Sequence, residues 1–195
     1  MMLDLFDAPV IRGLKACDDF LSAEEERVLI AAIDGQDMTP FRFQQWTGKR
    51  LTHSFGWKYD FQSGALSRSE PVPDWLVATR DRAAAFAGLA PDEIVQSLLI
   101  RYDAGAGIGW HKDRPIYEHV IGISLGAPAV MRFRRQRGCR WERATSPLEP
   151  RGIYHLSGEV RTEWEHSIAE MDHTRWSITF RSFSDRGRRL AARAQ

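Results

Sequence analysis

The feature that most constrains the fold is a series of short β-forming segments in the second half of the chain, separated by glycine, proline and other turn formers. The predicted strands are Ile94–Tyr102, His119–Leu125, Val130–Arg134, Ile153–Leu156 and residues 174–183, with a short extended piece at Trp141-Glu142. Two helices are predicted in the N-terminal part. This order indicates an α+β, mainly β protein, built as a β-sandwich or jelly roll with helices packed on one face.

Both predicted helices have recognisable ends. Ser22 and Glu25 match a capping box, and the helix that they begin is expected to end near Gly35. Asp74 is a candidate N-cap for the second helix, which is expected to end at Gly88. With 195 residues the chain is long enough for one domain with a substantial core, and we predict a single domain over residues 1–195.

Residues 38–62 predict a hairpin-like excursion with a turn at Thr47-Gly48-Lys49. Its cationic and aromatic residues alternate: Arg42, Lys49, Arg50 and Lys58 with Phe41, Phe43, Trp46, Phe55, Trp57 and Tyr59. Such a mixture suits a platform on which cations hold phosphate and aromatic faces stack on a base. A half-buried hairpin with a solvated cationic edge is the simpler explanation of the same composition.

Charge and cysteine usage narrow the class of protein. The net charge of +1 argues against a strongly basic nucleic-acid binder, although it leaves room for a local basic groove. Cys17 and Cys139 are far apart and form no C-x-x-C motif, which is typical of a reduced, cytoplasmic protein without disulfides. The first ten residues show no signal-peptide pattern, and no stretch is apolar enough to span a bilayer, so we expect no membrane contact.

The segment His111-Lys112-Asp113 follows a glycine-rich loop and places a histidine and an aspartate two residues apart. On extended backbone such residues project from the same face. Together with one distant histidine they make the 2-His-1-carboxylate set that holds iron(II) and leaves positions open for substrate and oxygen. The sequence offers His155, His166 and His173 as candidates for the distant ligand, and spacing alone does not choose among them.

The last predicted strand, residues 174–183, alternates polar and apolar residues. One face carries Arg175, Ser177, Thr179 and Arg181, and the other carries Trp176, Ile178 and Phe180. The polar face is either a solvated surface or the lining of a wet anionic pocket. The two arginines are roughly 20 Å apart along the strand, and side chains that lean together would accommodate a short dicarboxylate.

Taken together, His111-x-Asp113, His166 and Arg175 followed by Arg181 resemble the AlkB family of Fe(II)/2-oxoglutarate dioxygenases. The resemblance covers residues from about 98 to 183. It includes Arg101-Tyr102, Ile123-Ser124-Leu125-Gly126 and Gly158-Glu159-x-Arg161, and more loosely Ser54–Tyr59, which is similar to the substrate lid of the family.

The resemblance implies a double-stranded β-helix (jelly-roll) core at residues 91–183, preceded by an N-terminal extension with a lid around 38–62. It implies that His111, Asp113 and His166 bind iron(II) as the catalytic centre. Of the other residues, Arg175 and Tyr102 would hold 2-oxoglutarate, Arg181 would lie near the other end of that cosubstrate or brace Asp113, and Trp57 and Tyr59 would contact the substrate.

Two positions depart from the pattern of the family. Many relatives have asparagine where this chain has Ile100 and again where it has Ser177. Both changes remove amide contacts to the cosubstrate, while the ionic anchor at Arg175 remains.

The function that this resemblance implies is oxidative dealkylation of nucleic-acid bases, with iron(II), 2-oxoglutarate and O2 as cofactors and formaldehyde, succinate and CO2 as products. The expected partner of the monomer is alkylated DNA or RNA, either single-stranded or with the base flipped out. Two alternatives are the same chemistry on a protein side chain or small molecule, and a non-catalytic jelly-roll binding module. The arginine-rich end, residues 184–195, predicts either a frayed, solvated helix or an electrostatic arm for phosphate.

Overall fold

A computed structural model describes residues 11–43, 46–60 and 64–194 of the chain. Within these ranges the helices are α1 (Ala23–Asp34), α2 (Asp74–Ala87), α3 (Glu159–Thr162) and α4 (Asp185–Arg193), with a 3-10 turn at Pro91–Glu93. The strands are β1 (Leu14–Cys17), β2 (Thr39–Phe43), β3 (Trp46–Tyr59), β4 (Leu66–Arg68), β5 (Ile94–Tyr102), β6 (Ile108–His111), β7 (Tyr117–Gly126), β8 (Ala129–Arg137), β9 (Arg140–Leu148), β10 (Ile153–Leu156), β11 (Glu165–Ile168) and β12 (Arg175–Phe183). No helix in these ranges is both long and apolar enough to cross a bilayer.

The strands form two antiparallel sheets. The larger has the order β1-β10-β7-β12-β5-β3-β2, with β4 beside β3, and the smaller has the order β6-β11-β8-β9. Strands distant in sequence are neighbours in both sheets, as a jelly roll requires: β12 lies between β5 and β7, and β11 lies between β6 and β8. The predicted mainly β architecture is therefore confirmed.

Two apolar layers hold the larger sheet in place. Between the sheets lie buried residues of both, among them Ile100, Met131, Phe133, Leu156 and Ile168. On the opposite face, α1 and α2 pack on a second cluster, which includes the fully buried residues Ile33, Leu76, Leu99, Ile121 and Ile178. The helices therefore cover one face of the larger sheet, and the other face is directed to the smaller sheet.

The helix ends agree with the sequence at α1 and differ at α2. Ser22 caps α1, and Glu25 bonds back to the Ser22 amide, so the predicted capping box is present. In α2 the N-cap is Pro73, without a side-chain cap, and Asp74 is already the first helical residue. Gly88 ends α2 in the left-handed conformation (φ 72°), which glycine adopts without strain.

Two segments are more ordered than predicted. Residues 47–49, predicted as a turn, lie inside β3, which pairs with β2 and, from Leu51, with β5. The hairpin is thus continuous with the larger sheet. The predicted C-terminal helix is α4, capped by the Ser184 hydroxyl and packed through Ala191 into a cluster that includes Phe183. It is packed rather than frayed and solvated because one face of α4 is buried.

Gly122 on β7 makes room for the Tyr154 ring on the paired strand β10. A Cβ at this position would overlap the ring, so we expect Gly122→Ala to lower the free energy of unfolding by about 1–3 kcal/mol. Gly109→Ala is the matched control, because a Cβ there meets no atom within 4 Å. Urea titration followed by circular dichroism measures both, and equal midpoints for the two variants would contradict the tight contact.

Candidate active site

His111, Asp113 and His166 come together at one edge of the space between the sheets. β6 and β11 are adjacent, and His111 lies directly opposite His166 in their register, with ring centroids 4.2 Å apart. Asp113 follows β6, and its Oδ2 atom is 3.6 Å from Nε2 of His166. Strand pairing therefore brings His111 and Asp113, which are two positions apart in sequence, to a histidine some fifty positions later.

The other two candidate histidines lie elsewhere. His155 is on β10 and contacts His119, with 2.9 Å between Nε2 of His155 and Nδ1 of His119. His173 is exposed, between β11 and β12. Of the three candidates, His166 alone is in ring contact with His111 among the described residues.

The protonation states suit a divalent metal. Nδ1 of His111 is 2.9 Å from the carbonyl oxygen of Gly109, which can only accept, so Nδ1 carries the proton and Nε2 keeps its lone pair. Burial lowers the pKa of His111, and it lowers the pKa of His166 to about 4. Both rings are therefore neutral at pH 7, as metal ligands must be.

Asp113 remains ionised although it is buried. Burial favours its neutral form, but the charge of Arg181, joined at low pH by those of His166 and His111 once these rings are protonated, outweighs burial and lowers the pKa of Asp113. In the described part of the chain, no three or more His, Cys, Asp or Glu side chains already stand at the distances of a metal-loaded site. The donor chemistry, two neutral imidazoles and one carboxylate, nevertheless fits iron(II).

Arg181 is placed on Asp113. Its Nη2 donates to Oδ1 of Asp113 at 3.1 Å, and its Nη1 donates to Oε1 of Gln96 at 2.9 Å. Of the two positions that the sequence allowed for Arg181, near the cosubstrate or bracing Asp113, the structure places its guanidinium at the second. This contact leaves Oδ2 of Asp113 directed towards His166.

Arg175 is buried, 1% exposed, and faces Tyr102 across the β12–β5 pair, with its guanidinium carbon 5.3 Å from the Tyr102 ring centroid. Its Nε donates to the Ser124 hydroxyl at 3.1 Å, while Nη1 and Nη2 are buried without any hydrogen-bond partner. An isolated buried charge is costly. Two parallel unpaired N–H groups are the geometry that a carboxylate satisfies, so the residues fit a dicarboxylate anchor.

The polar face of β12 lines the interior. Ser177 and Thr179 are 2% and 4% exposed, which excludes the solvated surface that the sequence alone allowed. Ile100 and Ser177, the two departures from the family pattern, are direct cross-strand partners. The missing amides would therefore have belonged to one place beside Arg175, and their loss is a single local change.

Three further residues belong to this region although no role was predicted for them. Arg161 donates to the backbone carbonyls of Asp113, Arg114 and Tyr117 at 3.3, 3.0 and 2.5 Å, which fixes the segment after β6. Tyr154 is 9% exposed, and burial raises its pKa to about 12, so it stays protonated. Gln96 accepts a hydrogen bond from Arg181. Only Arg161 had a signal in the sequence, the Gly158-Glu159-x-Arg161 motif.

Trp57 and Tyr59 lie at the C-terminal end of β3. Trp57 is 8% exposed and packs edge-on against Phe183, with Arg68 on its ring at 4.8 Å. Tyr59 is half-buried, with Arg114 on its ring at 4.8 Å. The structure thus places Trp57 in a hydrophobic cluster, and substrate contact by these two rings stays a prediction.

The His119–His155 pair gives a pH prediction. Burial, and then the charges of His119 and Lys15, lower the pKa of His155 to about 4 from its usual 6.5. The unfolded chain therefore binds a proton that the folded chain does not, and the free energy of unfolding should fall between pH 6.5 and 4, by up to about 1.4 kcal/mol per pH unit. His155→Asn should reduce this slope in the metal-free protein, whereas the exposed His173→Asn should leave it unchanged. Urea titrations at several pH values test this, and an equal slope in both variants would contradict it.

Two antiparallel sheets that hold two histidines, one carboxylate and a buried arginine at one edge are typical of a jelly-roll, metal-dependent oxygenase. Sequence comparison identifies the family: the chain belongs to the 2OG-Fe(II) oxygenase superfamily, which it matches over residues 14–189, and it is AlkB-like. It is therefore an Fe(II)/2-oxoglutarate-dependent dioxygenase, with iron(II), 2-oxoglutarate and O2 as cofactors.

Similar proteins carry AlkB-homologue names. The chain is 28% identical over 163 residues to the Xenopus tropicalis tRNA (carboxymethyluridine(34)-5-O)-methyltransferase alkbh8, covering 80% of this chain and 25% of that protein. It is 26% identical over 184 residues to the Arabidopsis thaliana "Alkylated DNA repair protein ALKBH8 homolog", covering 81% of this chain and 51% of that protein. The chain thus spans between a quarter and about half of the length of these curated relatives.

A solved structure confirms the fold. "The structure of OsALKBH1" superposes with a TM-score of 0.68 and covers 89% of this chain and 98% of that chain, at 14% identity. At this identity the likeness concerns the fold, and it confirms the jelly roll.

Proposed function

We propose that this enzyme oxidatively removes alkyl groups from nucleic-acid bases, with His111, Asp113 and His166 holding iron(II) and Arg175 with Tyr102 holding 2-oxoglutarate. The observation that carries the assignment is the buried Arg175 guanidinium, whose two Nη atoms lack a partner on the same interior face that leads to Asp113. A carboxylate of 2-oxoglutarate supplies that partner.

Iron(II) held by His111, Asp113 and His166 would supply the oxidation, in which one oxygen atom of O2 would be used in converting 2-oxoglutarate to succinate and CO2 and the other would hydroxylate the alkyl carbon. For an N-methyl base, the C–N bond of the N–CH2OH product then breaks with release of formaldehyde, and the electron pair stays on the base nitrogen. The hydroxyl proton passes to that nitrogen in a neutral base, or to solvent in a base that carried a positive charge. The protein positions the metal ligands and the cosubstrate. Arg181 holds Asp113, and Arg161 holds the backbone that carries it. Arg175 and Tyr102 orient the cosubstrate.

Nucleic acid as the substrate is supported by a cationic, aromatic surface on the outer face of the smaller sheet, the face opposite to the one that carries His111 and His166. Trp110, next to His111, has the guanidinium carbons of Arg132 and Arg134 at 5.3 and 4.4 Å from its ring centroid, and Arg134 also lies 4.7 Å from the Trp141 ring. In the described residues, Arg140 and Arg143 on the same β8–β9 hairpin have no carboxylate partner. Arg134 is ion-paired with Glu165 and Arg132 donates to Ser167, whereas Arg140 and Arg143 are exposed. Exposed arginines on a surface that also carries aromatic rings suit phosphate and base contacts.

The names of similar proteins also support a nucleic-acid substrate. A Danio rerio protein, 28% identical over 118 residues and matched over 60% of this chain and 48% of that protein, is named "Probable RNA/DNA demethylase ALKBH6". The Arabidopsis relative is named for alkylated DNA repair and the Xenopus relative for tRNA. Because a base inside a duplex cannot reach a metal, we propose that the substrate base is single-stranded or flipped out.

The test is formaldehyde release from a panel of oligonucleotides, single- and double-stranded, that carry N1-methyladenine, N3-methylcytosine, N3-methyluracil or N6-methyladenine. Demethylation of at least one of them, at a rate matched by succinate formation, supports the proposal. Steady 2-oxoglutarate turnover on protein or small-molecule substrates, with no formaldehyde from any oligonucleotide, would refute nucleic acid as the substrate.

A further inference from the structure

The Arg50 side chain projects from β3 onto the interior face of the larger sheet, the face that also carries Arg175. β3 pairs with β5 so that Leu51 faces Arg101 and Thr52 faces Ile100. Since side chains alternate along a strand, Arg50 and Thr52 share the face of Ile100 and Tyr102, which is the face that carries Arg175. The Arg50 guanidinium lies 4.0 Å above the Phe41 ring.

Arg50 has no acidic partner. Its Nε is buried without a hydrogen-bond partner, and no carboxylate forms an ion pair with it in the described residues. The charged and titratable groups that act on it are Tyr102, Arg181 and Asp113. Asp113 attracts Arg50 electrostatically, but its carboxylate accepts a hydrogen bond from Arg181 and forms no ion pair with Arg50.

The surroundings of Asp113 therefore hold an excess of positive charge. Arg50, Arg161 and Arg181 all act electrostatically on this one carboxylate or on its neighbours, and Arg175 lies further along the same face. Iron(II) and the 2-oxoglutarate dianion carry opposite and equal charges, so loading the site leaves this excess in place. A substrate group bound next to the metal would therefore lie in an excess of positive charge.

We infer that Arg50 selects an uncharged alkylated base with a carbonyl oxygen directed to its guanidinium, and disfavours a cationic base. The inference rests on the proposed function and specifies its substrate class. Methylation at N3 of cytosine or N1 of adenine fixes a positive charge on the base, whereas N3-methyluracil is neutral and presents two carbonyl acceptors. Repulsion between two like charges in a partly buried site changes a preference by about tenfold or more.

N3-methylcytosine and N3-methyluracil form a matched pair, since they carry the same methyl group at the same position and differ mainly in charge. Each is placed in the same single-stranded oligonucleotide. Formaldehyde release is measured with iron(II), and binding is measured by fluorescence anisotropy with manganese(II) and 2-oxoglutarate under anaerobic conditions. We expect the wild type to prefer N3-methyluracil about tenfold or more in both measurements.

Arg50→Glu should shift this ratio towards N3-methylcytosine by at least about tenfold, because it reverses the charge. Arg50→Lys should retain the wild-type direction. The control is Arg12→Glu, the same charge change at an exposed position outside the lid and the site, which should leave the ratio unchanged. Circular dichroism verifies that each variant is folded.

A wild-type preference for N3-methylcytosine, or an unchanged ratio in folded Arg50→Glu, would overturn the inference while leaving the proposed function intact. If no oligonucleotide is bound or demethylated while 2-oxoglutarate is consumed, the proposed function fails and the inference fails with it.

Discussion

Asp113→Asn is expected to reduce iron(II) affinity by roughly 100-fold or more and to remove 2-oxoglutarate turnover. The substitution takes the negative charge from the proposed metal site and leaves Arg181 and Arg161 without the carboxylate that they surround. The isosteric amide still accepts a hydrogen bond from Arg181, but two buried cations then lack compensation. We therefore also expect the metal-free variant to lose stability, by an amount of the order of 3 kcal/mol.

The stability loss is separated from the metal effect by two controls. His166→Gln removes a proposed ligand but keeps the Asp113–Arg181 pair, so it should lose iron with a smaller change in unfolding free energy. Asp172→Asn changes an exposed carboxylate and should alter neither quantity. Equilibrium dialysis with iron(II) under nitrogen, together with urea titration, gives both numbers. Stoichiometric iron in folded Asp113→Asn and His166→Gln would refute the proposed ligand set.

Arg175→Met is expected to have opposite effects on binding and on stability. Because Nη1 and Nη2 of Arg175 are buried without partners, the ligand-free protein maintains an unpaired charge, and a methionine of similar length removes that cost. The melting temperature of the ligand-free variant should therefore equal or exceed that of the wild type. Affinity for 2-oxoglutarate should fall by about 100-fold or more, because the charge-assisted, bidentate contact is lost.

Thermal unfolding with and without 2-oxoglutarate measures both effects, since a ligand that binds only the folded state raises the melting temperature. The cosubstrate should stabilise the wild type but not Arg175→Met. Arg140→Met, at an exposed arginine on the β8–β9 hairpin, should respond to 2-oxoglutarate like the wild type. A normal thermal response in Arg175→Met would contradict the anchor, and a large drop in its ligand-free melting temperature would contradict the unpaired charge.

Sequence patterns predicted the parts of this protein that depend on local periodicity. The alternation of residues 174–183 predicted β12 and its two faces, and Ser22 with Glu25 predicted the start of α1. The resemblance to the AlkB family chose His166 among three histidines. The reason for that choice is visible only in the fold, where β11 lies beside β6.

Local sequence patterns did not predict the features that depend on packing between distant parts of the chain. The environment of the polar face of β12 was ambiguous, because burial of serine and arginine depends on the second sheet that covers them. Gln96 gave no signal, since its role depends on the β5–β12 register that brings it to Arg181. The Thr47–Lys49 segment has turn-forming composition, but pairing with β2 keeps it extended, and packing on Phe183 orders the basic C-terminal segment as α4.

The most direct test of the account is an anaerobic titration of the wild-type enzyme with iron(II) and 2-oxoglutarate, followed by visible absorption. A chelate of 2-oxoglutarate on protein-bound iron gives a metal-to-ligand charge-transfer band. We expect that band at one equivalent in the wild type, its absence in His111→Ala, and a shift of its appearance to much higher 2-oxoglutarate concentration in Arg175→Met. A wild type that binds iron without developing the band, or a His111→Ala variant that develops it normally, would contradict the site assigned here.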